Sequence, residues 1–316
     1  MARAITDPAE LLRCLELPNL LADEEAERRF SMRVPLGFVE RMERGNPRDP
    51  LLLQVLPGVA ETQWVPGYHA DPVGDGASIV APGVIHKYHG RALLVASAVC
   101  AIHCRYCFRR HFPYTEAVAR GDEWEAALGY IAADPTIEEV ILSGGDPLLL
   151  ADGQLADLSM RLQRIPHLRR LRIHSRLPVV LPSRIDDVLL DWLRACRLQT
   201  VLVIHANHPN ELDDSVCQAL ARLREAGIVL LNQSVLLRAV NNRVETLLAL
   251  SERLFSAGVI PYYLHLLDKV DGAAHFDVNE KAAVSLLKEL RKRLPGYMVP
   301  RLVRERAGTP AKMPIC

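Results

Sequence analysis

Cys100, Cys104 and Cys107 lie in the run Cys-Ala-Ile-His-Cys-Arg-Tyr-Cys, a CxxxCxxC spacing with an aromatic residue just before the last cysteine. Three thiolates on one loop can hold three corners of a cubic iron–sulfur cluster and leave its fourth iron open. An open iron can bind and reduce a substrate or cofactor, whereas a fully ligated cluster only passes electrons. A structural zinc site competes with this reading, because His103 or His111 could complete a ligand set. Zinc, however, favours cysteines in two pairs, and the chain has no second pair. Three unligated cysteines packed as small hydrophobes are the remaining alternative. The cluster reading leads.

The elements around this loop follow a regular rhythm from about Arg91 onward. Short apolar runs of strand length occur at Ala92–Val99, Glu139–Leu142, Leu171–His174, Thr200–His205, Ile228–Gln233 and Val259–Leu264. Between them, amphipathic stretches predict helices near 122–133, 152–165, 184–196, 211–226 and 243–257, with another at 279–294. Ser183 and Asn210 are candidate N-caps, and Gly227 and Gly258 candidate C-caps. Fully apolar strands alternating with helices indicate parallel βαβ units, hence an α/β fold whose sheet is open or a partial (β/α)6 barrel. Chemistry in such folds gathers at the C-terminal strand ends. Those ends are the cysteine loop, Ser143-Gly144-Gly145-Asp146-Pro147, His174-Ser175-Arg176, His205-Ala206-Asn207-His208, Asn232-Gln233-Ser234, and Tyr263-Leu264-His265 with Asp268. So many polar ends on one rim predict a site.

The chain of 316 residues is 49% hydrophobic and 24% charged, with 38 basic and 38 acidic side chains. That balance offers no global field for nucleic acid or an anionic membrane. Cys14, Cys196, Cys217 and Cys316 complete an odd, scattered set of seven, unlike a disulfide framework. The N-terminus lacks the apolar core of a signal peptide, and runs such as Ala92–Ala96 and Ile228–Leu231 are far too short to span a bilayer. A cytoplasmic enzyme is the expectation. Residues 1–85 read as a polar lead-in with helix formers at Asp23–Phe30 and Gly37–Arg44, the second stopped by Gly45-Asn46-Pro47. Pro57–Gly83, rich in proline and glycine, reads as an extended linker. The core is expected at 86–295 and a C-terminal segment at 296–316.

With the aromatic Tyr106 inside the cysteine motif and Gly-Gly-Asp-Pro after the second strand, the chain resembles the radical S-adenosylmethionine (SAM) superfamily. Cys107-Phe-Arg-Arg-His, Ile141-Leu-Ser-Gly-Gly-Asp, Ser175-Arg-Leu-Pro-Val-Val-Leu-Pro, Asn207-His-Pro-Asn-Glu and Asn232-Gln-Ser-Val-Leu-Leu-Arg are similar to the lysine 2,3-aminomutase family, over roughly residues 85–312. Arg44-Gly-Asn-Pro-Arg-Asp-Pro-Leu, Asp71-Pro-Val-Gly-Asp and an end just after Lys-x-Pro resemble its short bacterial branch. That branch makes (R)-β-lysine from (S)-α-lysine, and a separate ligase attaches the product to translation elongation factor P.

The resemblance implies a [4Fe–4S] cluster on Cys100, Cys104 and Cys107, SAM on its open iron, and pyridoxal phosphate (PLP) held by Lys312. Taken alone, Lys312 is an ordinary tail lysine; Arg304 and Arg306 are candidates for a field that keeps its amine neutral. Ser143, Gly144, Gly145 and Asp146 are expected beside SAM, with glycines allowing close backbone approach and Asp146 accepting from an ammonium. Lys87, Tyr88 and Arg91 are expected to cradle PLP. Arg109 is expected to clamp the substrate carboxylate, while Asp268 and Glu305 hold the distal ammonium; the longer mutases carry Asp at the position of Glu305. The implied reaction converts L-α-lysine to (R)-β-lysine, with an external electron donor, a functional link to elongation factor P and its ligase, and no nucleic-acid or membrane partner. A homo-oligomer is compatible with the sequence. A mutase for another amino acid, a radical SAM enzyme without PLP, and a non-catalytic iron–sulfur module that docks a translation factor are the alternatives.

Overall fold

A computed structural model describes residues 4–114 and 123–315. Its first strands, β1 (Ala4–Ile5) and β2 (Val34–Pro35), form a small antiparallel pair in the lead-in. All other strands of the described residues join one ten-stranded sheet in sequence order. They are β3 (Ile79–Ala81), β4 (Val84–Tyr88), β5 (Arg91–Ser97), β6 (Glu139–Gly144), β7 (Arg170–Ser175), β8 (Gln199–Ile204), β9 (Val229–Leu236), β10 (Ile260–Leu266), β11 (Arg301–Arg304) and β12 (Met313–Pro314). Neighbours from β5 through β11 pair in parallel, while β3–β4–β5 and β11–β12 are antiparallel. Strictly sequential parallel order winds the helices onto one face, which curls the sheet around the other. The result is a partial (β/α) barrel whose edge strands β3 and β12 do not pair with each other.

Helices Glu123–Ala133, Asp152–Gln163, Asp187–Ala195, Asp214–Glu225, Val244–Ser256 and Glu280–Arg293 match the periodic stretches, the first from residue 123 on. Their apolar faces meet the outer face of the sheet through residues such as Leu158, Leu193, Leu220 and Leu254. Gly227 and Gly258 follow their helices with φ of +82° and +76°, as a left-handed C-cap needs. The N-caps differ from expectation. Asp186 and Asp213 cap the helices, accepting from Leu189 N and Val216 N. Ser183 and Asn210 lie in short 3-10 turns, Pro182–Arg184 and Pro209–Glu211, where the preceding proline fixes φ and starts a separate turn.

The lead-in is less helical and more tightly engaged than its composition implies. The first helix is Pro8–Cys14, Asp23–Phe30 contains the helix Glu24–Arg29, and Gly37–Arg44 contains only the end of Leu36–Val39. The proline- and glycine-rich stretch from Pro57 is not a loose linker: it ends in β3 and buries Glu61 and Asp75 at 4% and 3% exposure. Glu61 receives two bonds from the Arg105 fork, at 2.8 and 2.6 Å, and one from Arg110 at 2.9 Å. Arg105 lies between Cys104 and Tyr106, and it also donates to the carbonyls of Phe30 and Ala26. The lead-in therefore grips the cysteine loop from outside.

Removing one partner of a buried ion pair costs about 3–5 kcal/mol, because the remaining charge stays buried without compensation. Glu61→Ala should lower unfolding stability by about that much, read from the denaturant midpoint. A loss no larger than that of an exposed charge would contradict the grip.

Candidate active site

Side chains two apart on one strand face the same way. On the inner face of the sheet those positions are Ile141 and Ser143, Arg172 and His174, Leu231 and Gln233, and Tyr263 and His265. They line one cavity of about 510 Å³, a volume suited to organic cofactors and substrates. Cys100, Cys104 and Cys107 line the same cavity, as do Lys87, Tyr88, Arg91, Arg109, Ser143, Gly144, Gly145, Asp146, Asp268, Glu305 and Lys312. Every residue that the resemblance assigns to cluster, cofactor or substrate thus opens onto one space.

Neighbouring thiols add to the raised pKa of Cys100 and Cys107. Burial pushes Cys107 up to about 11, with Cys104 adding to it, and it pushes Cys100 well up too, with Cys107 adding most. Neutral thiols in such a place ionise only if something positive replaces the lost solvent, which iron does. The donor set fits a cluster better than zinc. His103 stacks on Phe30 and bonds the Ser31 carbonyl, and His111 meets the Asp271 carbonyl; neither lines the cavity. Among the described residues no group of three or more His, Cys, Asp or Glu side chains converges as one metal ion requires.

The Gly-Gly-Asp turn serves packing. A Cβ on Gly144 would lie 2.6 Å from the Ser97 carbonyl, and one on Gly145 would lie 2.5 Å from that of Val99. Their freedom brings this turn against the end of β5, where Gly145 N and Asp146 N donate to Ser97 O and Val99 O at 2.7 and 2.8 Å. The Asp146 carboxylate already accepts from Ser175 Oγ, Leu148 N, Arg176 N and Leu177 N. Those bonds occupy the acceptor positions a carboxylate has, so an incoming ammonium would compete with the loops that Asp146 ties together.

At the other wall, charged residues alternate in sign. Arg109 Nε meets Asp75 Oδ2 at 2.7 Å, and its Nη1 donates to Ser143 Oγ at 3.1 Å. Asp75 Oδ1 takes Lys87 Nζ at 2.5 Å, and Lys87 also reaches Glu305 Oε1 at 3.2 Å. Glu305 Oε2 takes Lys312 Nζ at 2.5 Å. The hairpin register produces that last contact: Arg304 pairs with Met313, so Glu305 and Lys312 are the next residues outward on the two arms. The tail is thus a strand of the sheet rather than a flap. Arg304 pairs with Glu280 instead of facing Lys312. Arg306 is exposed, and it joins the turn only through its carbonyl, which accepts from Thr309.

Arg91 stacks its guanidinium 4.7 Å from the Tyr88 ring centroid, and it opens β5 in register with Glu139, at the N-terminal strand ends. The cavity therefore runs down from the cysteine rim rather than staying at it. Along its wall, the buried Nε2 atoms of His174 and His265 have no hydrogen-bond partner, and burial lowers the pKa of both. Cationic Lys87, Arg91 and Lys312 with unpartnered imidazoles suit an anionic, aromatic cofactor such as PLP.

Two acidic residues share this space with different protonation. Burial pulls Glu305 upward, but Lys312 and then Lys87 hold it down to about 2. Among the described residues Asp268 forms no ion pair; burial pushes it up to about 7, Lys312 only partly opposing.

Asp75, Glu61, Arg172 with its partner Glu139 at 2.9 Å, and Gln54 escaped the sequence reading. Asp75 and Glu61 lie in an aperiodic segment with no spacing signal. Arg172 sits two positions before His174, and strand alternation could have placed it on the inner face.

A parallel, sequentially wound α/β sheet with three cysteines on the loop after its first parallel strand defines a radical SAM fold, and residues 94–250 match the Radical SAM superfamily. Across the whole chain, 51% of residues are identical to the L-lysine 2,3-aminomutase of Escherichia coli (strain K12), covering 100% of this chain and 93% of that one. The enzyme of that name from Haemophilus influenzae is 48% identical, over 99% of this chain and 93% of its own. That from Acetoanaerobium sticklandii is 34% identical, over 95% and 73%. The chain belongs to the L-lysine 2,3-aminomutase family, and it is an isomerase. No described helix is long and apolar enough to cross a membrane.

The Asp268 environment sets a pH dependence. Its carboxyl is neutral below about 7 and charged above it. A ligand ammonium at this end needs the charged form, so its dissociation constant should rise about tenfold per pH unit below 7 and stay flat above. Calorimetry of a primary-ammonium ligand across that range checks this. Asp268→Asn should remove the slope, and a slope that survives would assign it elsewhere.

Proposed function

We propose that this isomerase converts L-lysine to (R)-β-lysine in the cytoplasm, using a [4Fe–4S] cluster, SAM and PLP, and that its product modifies translation elongation factor P. The observation that carries the substrate reading is the placement of Arg109 and of the acidic pair Glu305 and Asp268 in one cavity that also holds the three cysteines. A guanidinium suits a carboxylate through paired N–H bonds, and two acids suit a distal ammonium while repelling a side-chain carboxylate.

When bound, the cluster with SAM would supply a hydrogen-abstracting carbon radical, and PLP would stabilise nitrogen migration between adjacent carbons. The protein's part is to hold and orient. Cys100, Cys104 and Cys107 would hold iron, while the turn Ser143–Asp146 shapes the wall beside it. Lys312 would hold PLP, with Lys87, Arg91 and Tyr88 around it. Lys312 Nζ is paired with Glu305, and an amine acts as a nucleophile only after losing its proton. A substrate ammonium arriving at Glu305 and Asp268 would compete for Glu305 and loosen that pair. Burial of the cavity excludes water from a reactive intermediate. The link to elongation factor P is supported by the likeness of the lead-in motifs Arg44–Leu51 and Asp71–Asp75 to the short bacterial branch.

The test is anaerobic: reconstituted enzyme with SAM, PLP, reductant and L-lysine, analysed by mass spectrometry. β-Lysine should form, with glutamate and ornithine turned over far more slowly. Lys312→Ala should lose PLP absorption and at least about a hundredfold in rate. Well-loaded enzyme that rearranges glutamate or ornithine instead would overturn the substrate assignment. Zinc without sulfide would overturn the cluster.

A further inference from the structure

One buried cation beside the cysteines has no part in the reaction proposed above. Arg176 follows β7, is 5% exposed and lines the cavity. Its Nη1 donates to Cys104 Sγ, while its Nη2 donates to Gln54 Oε1 at 2.8 Å and Glu211 Oε2 at 2.9 Å. The Nε–H is buried with no partner. Asp146 Oδ2 fixes its backbone N–H at 2.8 Å, and the rings of Phe38 and Tyr106 flank the guanidinium at 5.4 and 5.7 Å. The nearby arginines are otherwise engaged: Arg109 with Asp75, and Arg105 and Arg110 with Glu61. Glu211 is fully buried, and its second oxygen is taken by the N–H groups of Asn207 and His208 and the Gln54 amide.

We infer that Arg176 is a positioning residue that sets the reduction potential of the iron–sulfur cluster through Cys104. This rests on the reading of the three cysteines as cluster ligands. A fixed cation and N–H donor on a ligand sulfur draws electron density from the iron and stabilises the reduced, more negative cluster, so it raises the potential. The step it governs is the gain of one electron from a low-potential one-electron donor, with no bond made or broken on the protein. Arg suits this place because a guanidinium stays charged when buried, where a lysine or histidine tends to lose its proton. Glu211 holds the guanidinium from the side away from sulfur, and it partly offsets the charge at greater distance.

The experiment is an EPR-monitored redox titration of reconstituted enzyme. In Arg176→Met the ratio of reduced to oxidised cluster at fixed poise should fall about tenfold, equivalent to about 59 mV for one electron. Arg176→Lys, which restores a cation, should recover most of that loss. Because Arg176→Met leaves Glu211 unpaired, the double variant Arg176→Met/Glu211→Gln, which keeps the local charge balanced, should show the same direction and serves if the single variant does not fold. Iron and sulfide content in each variant separates the two readings. No cluster in the unaltered protein would sink the cysteine assignment. A normal cluster whose potential is unchanged without Arg176 would sink this inference alone, and a weaker affinity for SAM at unchanged potential would make Arg176 a ligand-binding residue.

Discussion

The cavity is organised by one row of buried and half-buried charges, from Arg109 through Asp75, Lys87 and Glu305 to Lys312. Each carboxylate divides its two oxygens between two cations, so no member can leave without stranding a neighbour. Buried ion pairs contribute little net stability against a well-packed apolar core, yet breaking one is costly. Such a row therefore acts mainly as a constraint on geometry. It draws together the lead-in, the strand β4, the loop that carries the cysteines and the C-terminal hairpin. None of these pieces is close to all the others in sequence.

That constraint explains why two carboxylates in one cavity behave differently. Glu305 sits inside the row with a cation on each oxygen, and it is held ionised. Asp268 lies outside the row, half-buried and, among the described residues, without an ion pair, and the desolvation cost dominates. Pairs of titratable groups pushed apart in this way are a mark of sites that bind charge selectively. A diamine arriving here meets one acid already charged but occupied, and another that must give up a proton to receive it.

What could be read from the sequence depended on how local the signal was. The cysteine loop is a spacing within eight residues, and the polar ends of β6 to β10 follow from apolar runs that stop at polar residues, so both were legible. Gly227 and Gly258 were legible because a helix end needs a positive φ. Asp75 and Glu61 were not, since nothing periodic surrounds them and their partners Arg109 and Arg105 lie far along the chain. Strands β11 and β12 are four and two residues long. Such short runs carry no pattern, although their register is what puts Lys312 beside Glu305. The caps at Asp186 and Asp213 were missed by three residues, because a proline turn stands between the polar candidate and the true helix start. The resemblance puts the Asp146 carboxylate beside SAM, and the four backbone and hydroxyl donors it accepts from are visible only in three dimensions.

The loop that carries the cysteines is held on two sides by arginines with different duties. Outside, Arg105 and Arg110 converge on Glu61 and close the loop against the lead-in, so that their charge is cancelled locally. Inside, Arg109 pairs with Asp75, and Arg176 meets the sulfur of Cys104. Among these four arginines, only the last donates a side-chain hydrogen bond to a cysteine sulfur. A loop rich in arginine is therefore not a general electropositive cradle. Each guanidinium has an acidic partner, Arg105 and Arg110 sharing Glu61, and the partner fixes where its charge is held. Placing Glu61, Asp75 and Glu211 on three separate segments lets the fold set those places independently.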